Sequence, residues 1–224
     1  MVNIFLKSVK KEYGKKIILN NINLSIEDNS LNIILGKSGA GKSTLLNIIG
    51  LLDSPTDGKI VIRDNEIKDL NNNQIADLRM KDIGFVFQSF YLNPKLKAYE
   101  NVMIPMYIND FYKNENLEEK AKSLLKIFDL EEKFDHFPNE LSGGEQQRVA
   151  IARAIANDPS IIIADEPTGN LDKENEELVL KLLKKLSKEG KSVIIVTHNE
   201  SLTKYADRVF YLSCGNLEEV RWLK

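Results

Sequence analysis

A short glycine-rich loop carries the residue types that bind phosphate. Residues 36–44 read GKSGAGKST and match the spacing G-x-x-x-x-G-K-[ST]. Glycines in such a loop let backbone N–H groups converge on phosphate oxygens, the lysine adds a full positive charge, and the serine hydroxyl is a ligand for Mg²⁺. The loop therefore predicts a nucleoside triphosphate site. Nucleotide contacts are assigned to Gly36, Lys37, Ser38, Gly39, Ala40, Gly41, Lys42, Ser43 and Thr44.

Two adjacent carboxylates follow an apolar run in the stretch IIIADEP. Such a run is typical of a buried strand, and ligands bind at the carboxyl ends of the strands in open parallel sheets. Asp165 is placed to hold Mg²⁺ together with Ser43, and Glu166 to orient or deprotonate an attacking water. With the phosphate loop, this strand predicts a nucleotide triphosphatase or a kinase.

A second stretch, LSGGEQQR, also has the features of an anion site. Ser142, Gly143, Gly144 and Glu145 precede a helix-forming run, and each glycine costs a helix about 1 kcal/mol. Glycine allows close backbone approach by another molecule. Because the first loop already serves its own nucleotide, this site is interpreted as receiving the γ-phosphate of ATP bound to a second molecule.

The plainer alternative is a capping box of the form S-x-x-E, which needs no ligand. In that case Ser142 only starts a helix. The inward face of this helix would include Val149, Ala152 and Ile155.

The elements that must position these residues alternate between strand and helix. Strands are expected within residues 1–35, a helix from about 42 to 52, and two further strands around a helix at 72–81. Residues 90–159 are mostly helical in pattern, and alternation then returns to the end of the chain. This spacing predicts a parallel α/β core, with one domain over residues 1–224, a core of 1–89 and 160–224, and a helical insertion of about 90–159.

Composition excludes several classes of protein. The chain of 224 residues is 42% hydrophobic, which suits one well-formed core. A net charge of -2 gives no general basic field, so no nucleic-acid partner is expected. No apolar run approaches the roughly 18–20 residues that span a bilayer. A single cysteine, Cys214, cannot form an internal disulfide, which fits the reducing cytosol. Together with the absence of a long apolar run, this predicts a soluble cytosolic protein.

Taken together, these motifs resemble those of the ATP-binding subunit of ABC transporters. The family signature LSGGQ is written LSGGE here, with Glu145 in place of the usual glutamine. Tyr13 in EYGKK matches the aromatic residue that stacks on adenine, and Gln88 in GFVFQ matches the glutamine that contacts Mg²⁺ and water. Asp172 in GNLD matches the loop that joins two subunits, and His198 in VTHN matches the histidine near the γ-phosphate.

The resemblance implies a P-loop NTPase (RecA-like) fold with an N-terminal antiparallel β subdomain and an inserted α-helical subdomain. It also implies ATP and Mg²⁺ as ligands, and a homodimer that forms head to tail on ATP binding. The implied catalytic residues are Lys42, Gln88, Glu166 and His198, and the implied metal ligands are Ser43, Gln88 and Asp165. Singly, Tyr13 could be a turn aromatic, Gln88 a polar strand cap and His198 a structural histidine.

The stretches LRMKDIGFVFQSFYLNPKLKAYENV and ARAIANDPSIIIADEPTGNLD look like the lipoprotein-release, macrolide-export and FtsE-like branch of the family. They are also similar to exporters of antimicrobial peptides. This implies a separate permease with few membrane helices and a large extracytoplasmic domain. The chain would then be cytoplasmic and held at the inner face of the cell membrane through that permease. Phe90, Tyr91 and Leu92 are the expected permease contacts, and at least one of them should be exposed, although core packing is the alternative for this region.

The leading interpretation is a transport ATPase that drives export of a lipoprotein, antimicrobial peptide or macrolide through that permease, and other functions are alternatives to it. An FtsE-like role would control an extracellular hydrolase without transport. An ABC-type ATPase acting on ribosomes or DNA is disfavoured, because such proteins carry two cassettes or a long coiled-coil insertion. A kinase is also disfavoured, since Ser142, Gly143 and Gly144 would then have no role.

One departure from the family is Asn29, where glycine is usual, and a left-handed turn is expected there.

Overall fold

The computed structural model describes residues 1–220. Its strands are β1 Val2–Tyr13, β2 Lys16–Glu27, β3 Ser30–Leu35, β4 Asp57–Ile62, β5 Asn65–Glu66, β6 Ile83–Phe87, β7 Ile161–Asp165, β8 Ser192–Thr197, β9 Arg208–Ser213 and β10 Asn216–Val220. Its α-helices are α1 Lys42–Ile49, α2 Asn72–Asp82, α3 Ala98–Tyr107, α4 Leu117–Ile127, α5 Gly143–Ala154 and α6 Lys173–Lys188.

The larger sheet has six strands in the order β10-β9-β3-β8-β7-β6. Neighbours from β9 to β6 are parallel, and β10 pairs antiparallel with β9 at one edge. Every residue of β3 and β8 is buried. Strands β1 and β2 with α1 cover one face of the sheet and helices such as α6 cover the other, and near-continuous apolar sequences are typical of strands buried on both faces. The predicted parallel α/β core is therefore confirmed.

The smaller sheet is antiparallel, in the order β2-β1-β4-β5. Gly14, with φ 61°, turns the chain between β1 and β2, which is a conformation glycine adopts without strain. The sheet also takes β4 and β5, which follow α1 in sequence, so it is built from more than the N-terminal stretch. Apolar side chains such as Ile4, Ile34 and Leu45 fill one core between the two sheets and α1.

Helices α3, α4 and α5 lie between β6 and β7 in the chain, and they share a second core with the parallel sheet. The predicted inward face of α5 is confirmed, because Val149, Ala152 and Ile155 are all buried. Among residues 1–220, no helix is long and apolar enough to cross a membrane.

Two local expectations have clear outcomes. Asn29 has φ 54°, which confirms the expected left-handed turn. The helix expected to run to Leu52 instead ends at Ile49. Gly50 caps it and packs so closely on the Phe85 ring that a Cβ there would lie 2.5 Å from Cζ. Leu51 then adopts φ 57°, which turns the chain out of the helix.

Candidate active site

Four parallel strands end at one edge of the larger sheet, and a predicted site residue follows each. Cross-strand registers align their ends, with Leu35 opposite Thr197, Val196 opposite Asp165, and Asp165 opposite Phe87. The next residues in the chain are Gly36, His198, Glu166 and Gln88. The fold thus brings the phosphate loop, the carboxylates, the histidine and the glutamine to a common edge, which is where open parallel sheets bind ligands.

The phosphate loop is held by its own lysine. Lys42 Nζ donates to the carbonyl oxygens of Gly36 at 2.7 Å and Lys37 at 3.2 Å. Gly41 has φ 102°, and a Cβ there would lie 3.1 Å from the Ile18 carbonyl oxygen, so both the backbone angle and the space favour glycine. Gly39 has φ 78° and no atom near its Cβ direction. The loop is therefore wrapped tightly on one side and open on the other.

The histidine at the end of β8 lies beside this loop. A cleft of about 100 Å³ is lined by Leu35, Gly36, Lys37, His198, Glu200 and Tyr211. The imidazole of His198 can therefore reach a ligand bound at Gly36 and Lys37, the first residues of the phosphate loop.

Tyr13 is exposed and fixed at its hydroxyl. Its Oη donates to Asp53 Oδ2 at 2.5 Å, and the other carboxylate oxygen accepts from Lys11 Nζ at 2.6 Å. The Lys11 Nζ also lies 4.8 Å from the centre of the Tyr13 ring. The hydrogen bond to Asp53 raises the pKa of Tyr13, and a hydrogen bond with Thr44 opposes the rise, which places the ring next to α1. The arrangement provides a flat ring beside the phosphate loop, as base stacking requires.

Glu166 is held by three contacts on its carboxylate. Oε2 accepts from Thr197 Oγ1 at 2.7 Å, and Oε1 accepts from the His198 backbone N–H at 3.0 Å. Nδ1 of His198 lies 2.7 Å from the same Oε1. The glutamate side chain is 17% exposed and that of the histidine 73%. The pair can therefore present a fixed carboxylate and a solvent-accessible imidazole to a reacting phosphate.

The predicted metal ligands fit a hard divalent cation. Asp165, Ser43 and Gln88 offer carboxylate, hydroxyl and carboxamide oxygens, which is the donor set that Mg²⁺ prefers. Burial and, after it, the charge of Glu166 raise the pKa of Asp165, while Lys42 opposes the rise. A cation would relieve the electrostatic cost of keeping two adjacent carboxylates ionised here.

The segment around Ser142 does form the capping box. Ser142 Oγ accepts from the Glu145 N–H at 3.3 Å, and Glu145 Oε2 accepts from the Ser142 N–H at 2.7 Å. Lys133 lies 3.3 Å from Glu145. Burial acts to raise the pKa of Glu145, but the hydrogen bonds from Ser142 and Lys133 together have the larger effect, so the pKa lies below its usual value. The box accounts for Ser142 and Glu145 but does not account for the two glycines.

The two glycines have different surroundings. A Cβ on Gly144 would lie 1.9 Å from Asn175 Oδ1, so glycine is required there by a contact within the chain. A Cβ on Gly143 would meet nothing closer than Leu171 Cδ2 at 3.6 Å. The interpretation that glycine leaves room for another molecule therefore applies to Gly143, whereas Gly144 has its own structural reason.

Asp172 caps α6, the helix whose Asn175 lies against Gly144. Its carboxylate accepts from the Asn175 N–H and from Asn175 Nδ2, both at 2.9 Å. These hydrogen bonds lower the pKa of Asp172. Asn175 thus contacts Gly144 on one side and Asp172 on the other, so the two elements expected to face a partner form one surface.

The loop after Gln88 exposes one aromatic ring. Tyr91 is 67% exposed, as expected for at least one residue of the group, whereas Phe90 and Leu92 are half-buried. Arg153, near the end of α5, donates to the carbonyl oxygens of Tyr91 at 2.5 Å and Phe90 at 2.7 Å. Burial lowers the pKa of Arg153. The loop is therefore fixed by the C-terminal end of α5, the helix whose N-terminal end is Gly143.

Several residues in contact with the site were not found from the sequence. Thr197 binds Glu166, and its only signal was its place before His198. Gln147 is buried and donates to the Pro167 carbonyl oxygen at 2.7 Å, and a polar residue on the inward side of a helix was the available signal. Asn170 pairs with Gln88, and no local pattern pointed to it.

Comparison with known proteins agrees with this geometry. A family model described as ABC transporter matches residues 19–169. An uncharacterized ABC transporter ATP-binding protein, MJ0796 of Methanocaldococcus jannaschii, is 47% identical over 99% of this chain and 97% of its own length. The macrolide export ATP-binding/permease protein MacB of Campylobacter jejuni is 45% identical over 96% of this chain, which spans 33% of that protein.

Two solved structures of MJ0796 match the fold. One is described as a dimeric ABC transporter cassette, and it has a TM-score of 0.86 at 44% identity, covering 98% of this chain and all of that one. The other is described as a dimeric post-hydrolysis state bound to ADP and Pi, with a TM-score of 0.85 at 43% identity and the same coverage. The α/β P-loop NTPase fold and the activity of an ATPase follow from these matches.

Proposed function

The chain belongs to the ABC transporter ATP-binding proteins, and on that premise we propose that it is the ATP-hydrolysing subunit of an exporter. It works as a head-to-tail homodimer that closes on ATP and drives a separate permease from the inner face of the cell membrane. The observation that carries the proposal is the surface formed by Gly143, Asn175 and Asp172, with Gly144 buried beneath Asn175. This surface is separate from the phosphate loop in sequence.

The residues divide the chemistry among them. N–H groups of the loop from Gly36 to Thr44 bind phosphate oxygens, and Lys42 turns from its loop carbonyls toward them. Ser43, Asp165 and Gln88 would hold Mg²⁺, and the bound cation would neutralise phosphate charge. Glu166, fixed by Thr197 and His198, orients the attacking water and accepts its proton.

Dimerisation gives the second anion site its role. MJ0796 has dimeric structures, one of them with ADP and Pi. In such a dimer, Ser142 and the N–H groups of Gly143 and Gly144 close over the γ-phosphate bound to the partner subunit. Loss of that phosphate on hydrolysis removes the bridge and allows the dimer to open, which converts chemistry into motion.

Export is supported by the similarity to MacB, in which an ATP-binding region and a permease are one protein by name. The exposed ring of Tyr91 is then a contact for a cytoplasmic segment of the permease. Arg153 connects that contact to α5, so movement of the segment that includes Gly143 reaches the permease through two hydrogen bonds.

Purification of a trapped complex tests this function. The Glu166→Gln variant, expressed in the native cell, is solubilised with ATP and Mg²⁺ and its bound proteins are identified by mass spectrometry. A permease with few membrane helices and a large outer domain is the expected partner, and transport of a labelled substrate in vesicles then separates export from control of an extracellular hydrolase. Recovery with ribosomes or nucleic acid alone would overturn the proposal.

A further inference from the structure

Gln88 and Asn170 form a reciprocal pair between two loops of the site. Gln88 Nε2 donates to Asn170 Oδ1 at 3.2 Å, and Asn170 Nδ2 donates to the Gln88 backbone carbonyl oxygen at 3.1 Å. One loop follows β6 and the other follows β7, so the pair joins segments 82 residues apart in sequence. Both side chains are exposed, and packing alone does not fix them.

The chemistry of the pair determines which way each carboxamide faces. A backbone carbonyl can only accept, so the atom of Asn170 beside it must be the NH₂ group. The oxygen of Asn170 therefore faces the Gln88 side chain, and an oxygen that accepts must meet the NH₂ of Gln88. Oε1 of Gln88 is consequently directed away from Asn170, and it is the atom of this side chain that can bind a cation.

Gly169 completes the arrangement. A Cβ on Gly169 would lie 2.7 Å from Gln88 Nε2 and 3.1 Å from its Cδ, so the carboxamide lies against the glycine backbone. The φ of Gly169 is outside the left-handed region, and the backbone would accept alanine. The absence of a side chain at this position is therefore explained by the place that Gln88 occupies.

We propose that Asn170 is a positioning residue that presents Oε1 of Gln88 to the divalent cation. Asn170 binds the NH₂ end of the Gln88 carboxamide and the backbone at its base, and Gly169 leaves room for the side chain to lie flat. Without these contacts the carboxamide rotates freely and its oxygen is oriented toward the cation for only part of the time. This inference rests on the proposed function, in which Gln88 is a ligand of the metal.

The test measures how strongly a metal tightens ATP binding, which needs no hydrolysis. Variants are made in the Glu166→Gln background, and the ratio of the ATP dissociation constants in EDTA and in saturating Mn²⁺ is obtained by equilibrium dialysis with labelled ATP. Asn170→Leu removes both hydrogen bonds at similar size, and Gly169→Ala displaces Gln88 by a different route. Each should reduce the ratio about 3- to 10-fold, the range expected for lost neutral hydrogen bonds.

A double-mutant cycle shows whether Asn170 acts through Gln88. Gln88→Ala should reduce the ratio at least as much as Asn170→Leu, and the double variant should reduce it no further. Equal melting temperatures, within about 2 °C, exclude a general loss of structure.

Three results would overturn the inference. If Gln88→Ala reduces the ratio but Asn170→Leu and Gly169→Ala do not, Gln88 keeps its proposed role and Asn170 does not position it. If the Asn170 and Gln88 effects add, Asn170 acts independently of the glutamine. If Gln88→Ala leaves the ratio unchanged, the proposed metal role of Gln88 fails and the inference fails with it.

Discussion

Nδ1 of His198 lies 2.7 Å from Oε1 of Glu166, and the backbone N–H of the same histidine lies 3.0 Å from that oxygen. The histidine therefore binds the carboxylate through both its ring and its backbone within one chain. Because Thr197 binds the other oxygen, two consecutive residues at the end of β8 set the direction of the carboxylate. The charge of Glu166 and the hydrogen bonds that orient its carboxylate can thus be removed by different substitutions.

Glu166→Gln should stop hydrolysis without preventing ATP binding. The carboxamide keeps the size of the side chain but cannot accept a proton, so the rate should fall at least about 100-fold, as for loss of a general base. The variant should accumulate as a dimer with ATP and Mg²⁺, measured by light scattering, and ADP in place of ATP is the control. Hydrolysis at the normal rate, or the same molar mass with ATP and ADP, would show that Glu166 does not have this role.

Thr197→Val should impair catalysis by releasing one side of the glutamate. Valine matches the shape of threonine but cannot donate to Oε2 of Glu166. Loss of a hydrogen bond to a charged group costs about 1.5–3 kcal/mol, which corresponds to a roughly 10- to 100-fold lower kcat. The KM for ATP should change little, because Thr197 holds the glutamate rather than the phosphate loop.

Thr197→Ser is the matched control for this prediction, since it retains the hydroxyl and should keep most of the activity. Steady-state kinetics on both variants provide the measurement. A serine variant as slow as the valine variant would assign the effect to lost packing of the methyl group rather than to the hydrogen bond.

Gly144→Ala should destabilise the isolated chain, whereas Gly143→Ala should leave its stability nearly unchanged. Alanine at 144 places Cβ 1.9 Å from Asn175 Oδ1, and relief of such a clash costs roughly 1–3 kcal/mol. Its melting temperature should fall by roughly 2–12 °C. Alanine at 143 meets nothing within 3.6 Å, so its melting temperature should change little and only ATP-dependent dimerisation should weaken. Equal melting temperatures for the two variants would contradict the contact with Asn175.

The parts of the fold and site that could be predicted were those encoded by local sequence. The apolar runs of β3 and β8 identify buried parallel strands, and the phosphate loop has a fixed spacing of glycine, lysine and serine. The rule that ligands bind at the carboxyl ends of strands then predicts which residues meet. Asp165 and Glu166 could be placed at the phosphate site on this basis, whereas the place of His198 was implied only by the resemblance to the ABC transporter family.

The remaining features depend on contacts between distant segments. Nothing near Asn170 indicates that it pairs with Gln88, and nothing near Gly144 shows that Asn175 lies against it. The lack of space for a side chain at Gly50, where α1 is capped, likewise depends on the Phe85 ring, which comes from β6. Local propensity does not contain this information, because tertiary packing decides which of several allowed conformations is used.

Asp53→Asn should destabilise the chain in a pH-dependent way. Burial raises the pKa of Asp53, but hydrogen bonds from Lys11 and Tyr13 outweigh it and lower the pKa. A carboxyl with a lowered folded pKa adds stability that is complete above its unfolded pKa, about 3.9, and is lost as the pH falls through the folded value. The variant should therefore lose roughly 2 kcal/mol at pH 7, and the difference should shrink below about pH 4.

Urea unfolding of both proteins between neutral and acidic pH measures this difference. Asp77→Asn is the control, because Asp77 makes an exposed ion pair with Lys81 and its loss should change stability by less than about 0.5 kcal/mol. A penalty for Asp53→Asn that stays constant from pH 7 to the acid range would mean that packing, rather than the charge, holds Tyr13 and Lys11.

Tyr91→Glu should uncouple transport from hydrolysis. The ring is 67% exposed, so glutamate disturbs little within the chain, but it places a charge on the surface proposed to receive the permease. Transport by the reconstituted complex should fall at least about 10-fold, as when a central aromatic residue of an interface is lost, while the ATPase rate of the isolated chain should stay near normal. Ile127→Glu, at an apolar side chain 52% exposed on α4, is the matched control and should affect neither. Parallel loss of transport and of isolated ATPase activity in Tyr91→Glu would show that Tyr91 supports the fold instead, through the Phe87 ring 5.3 Å away.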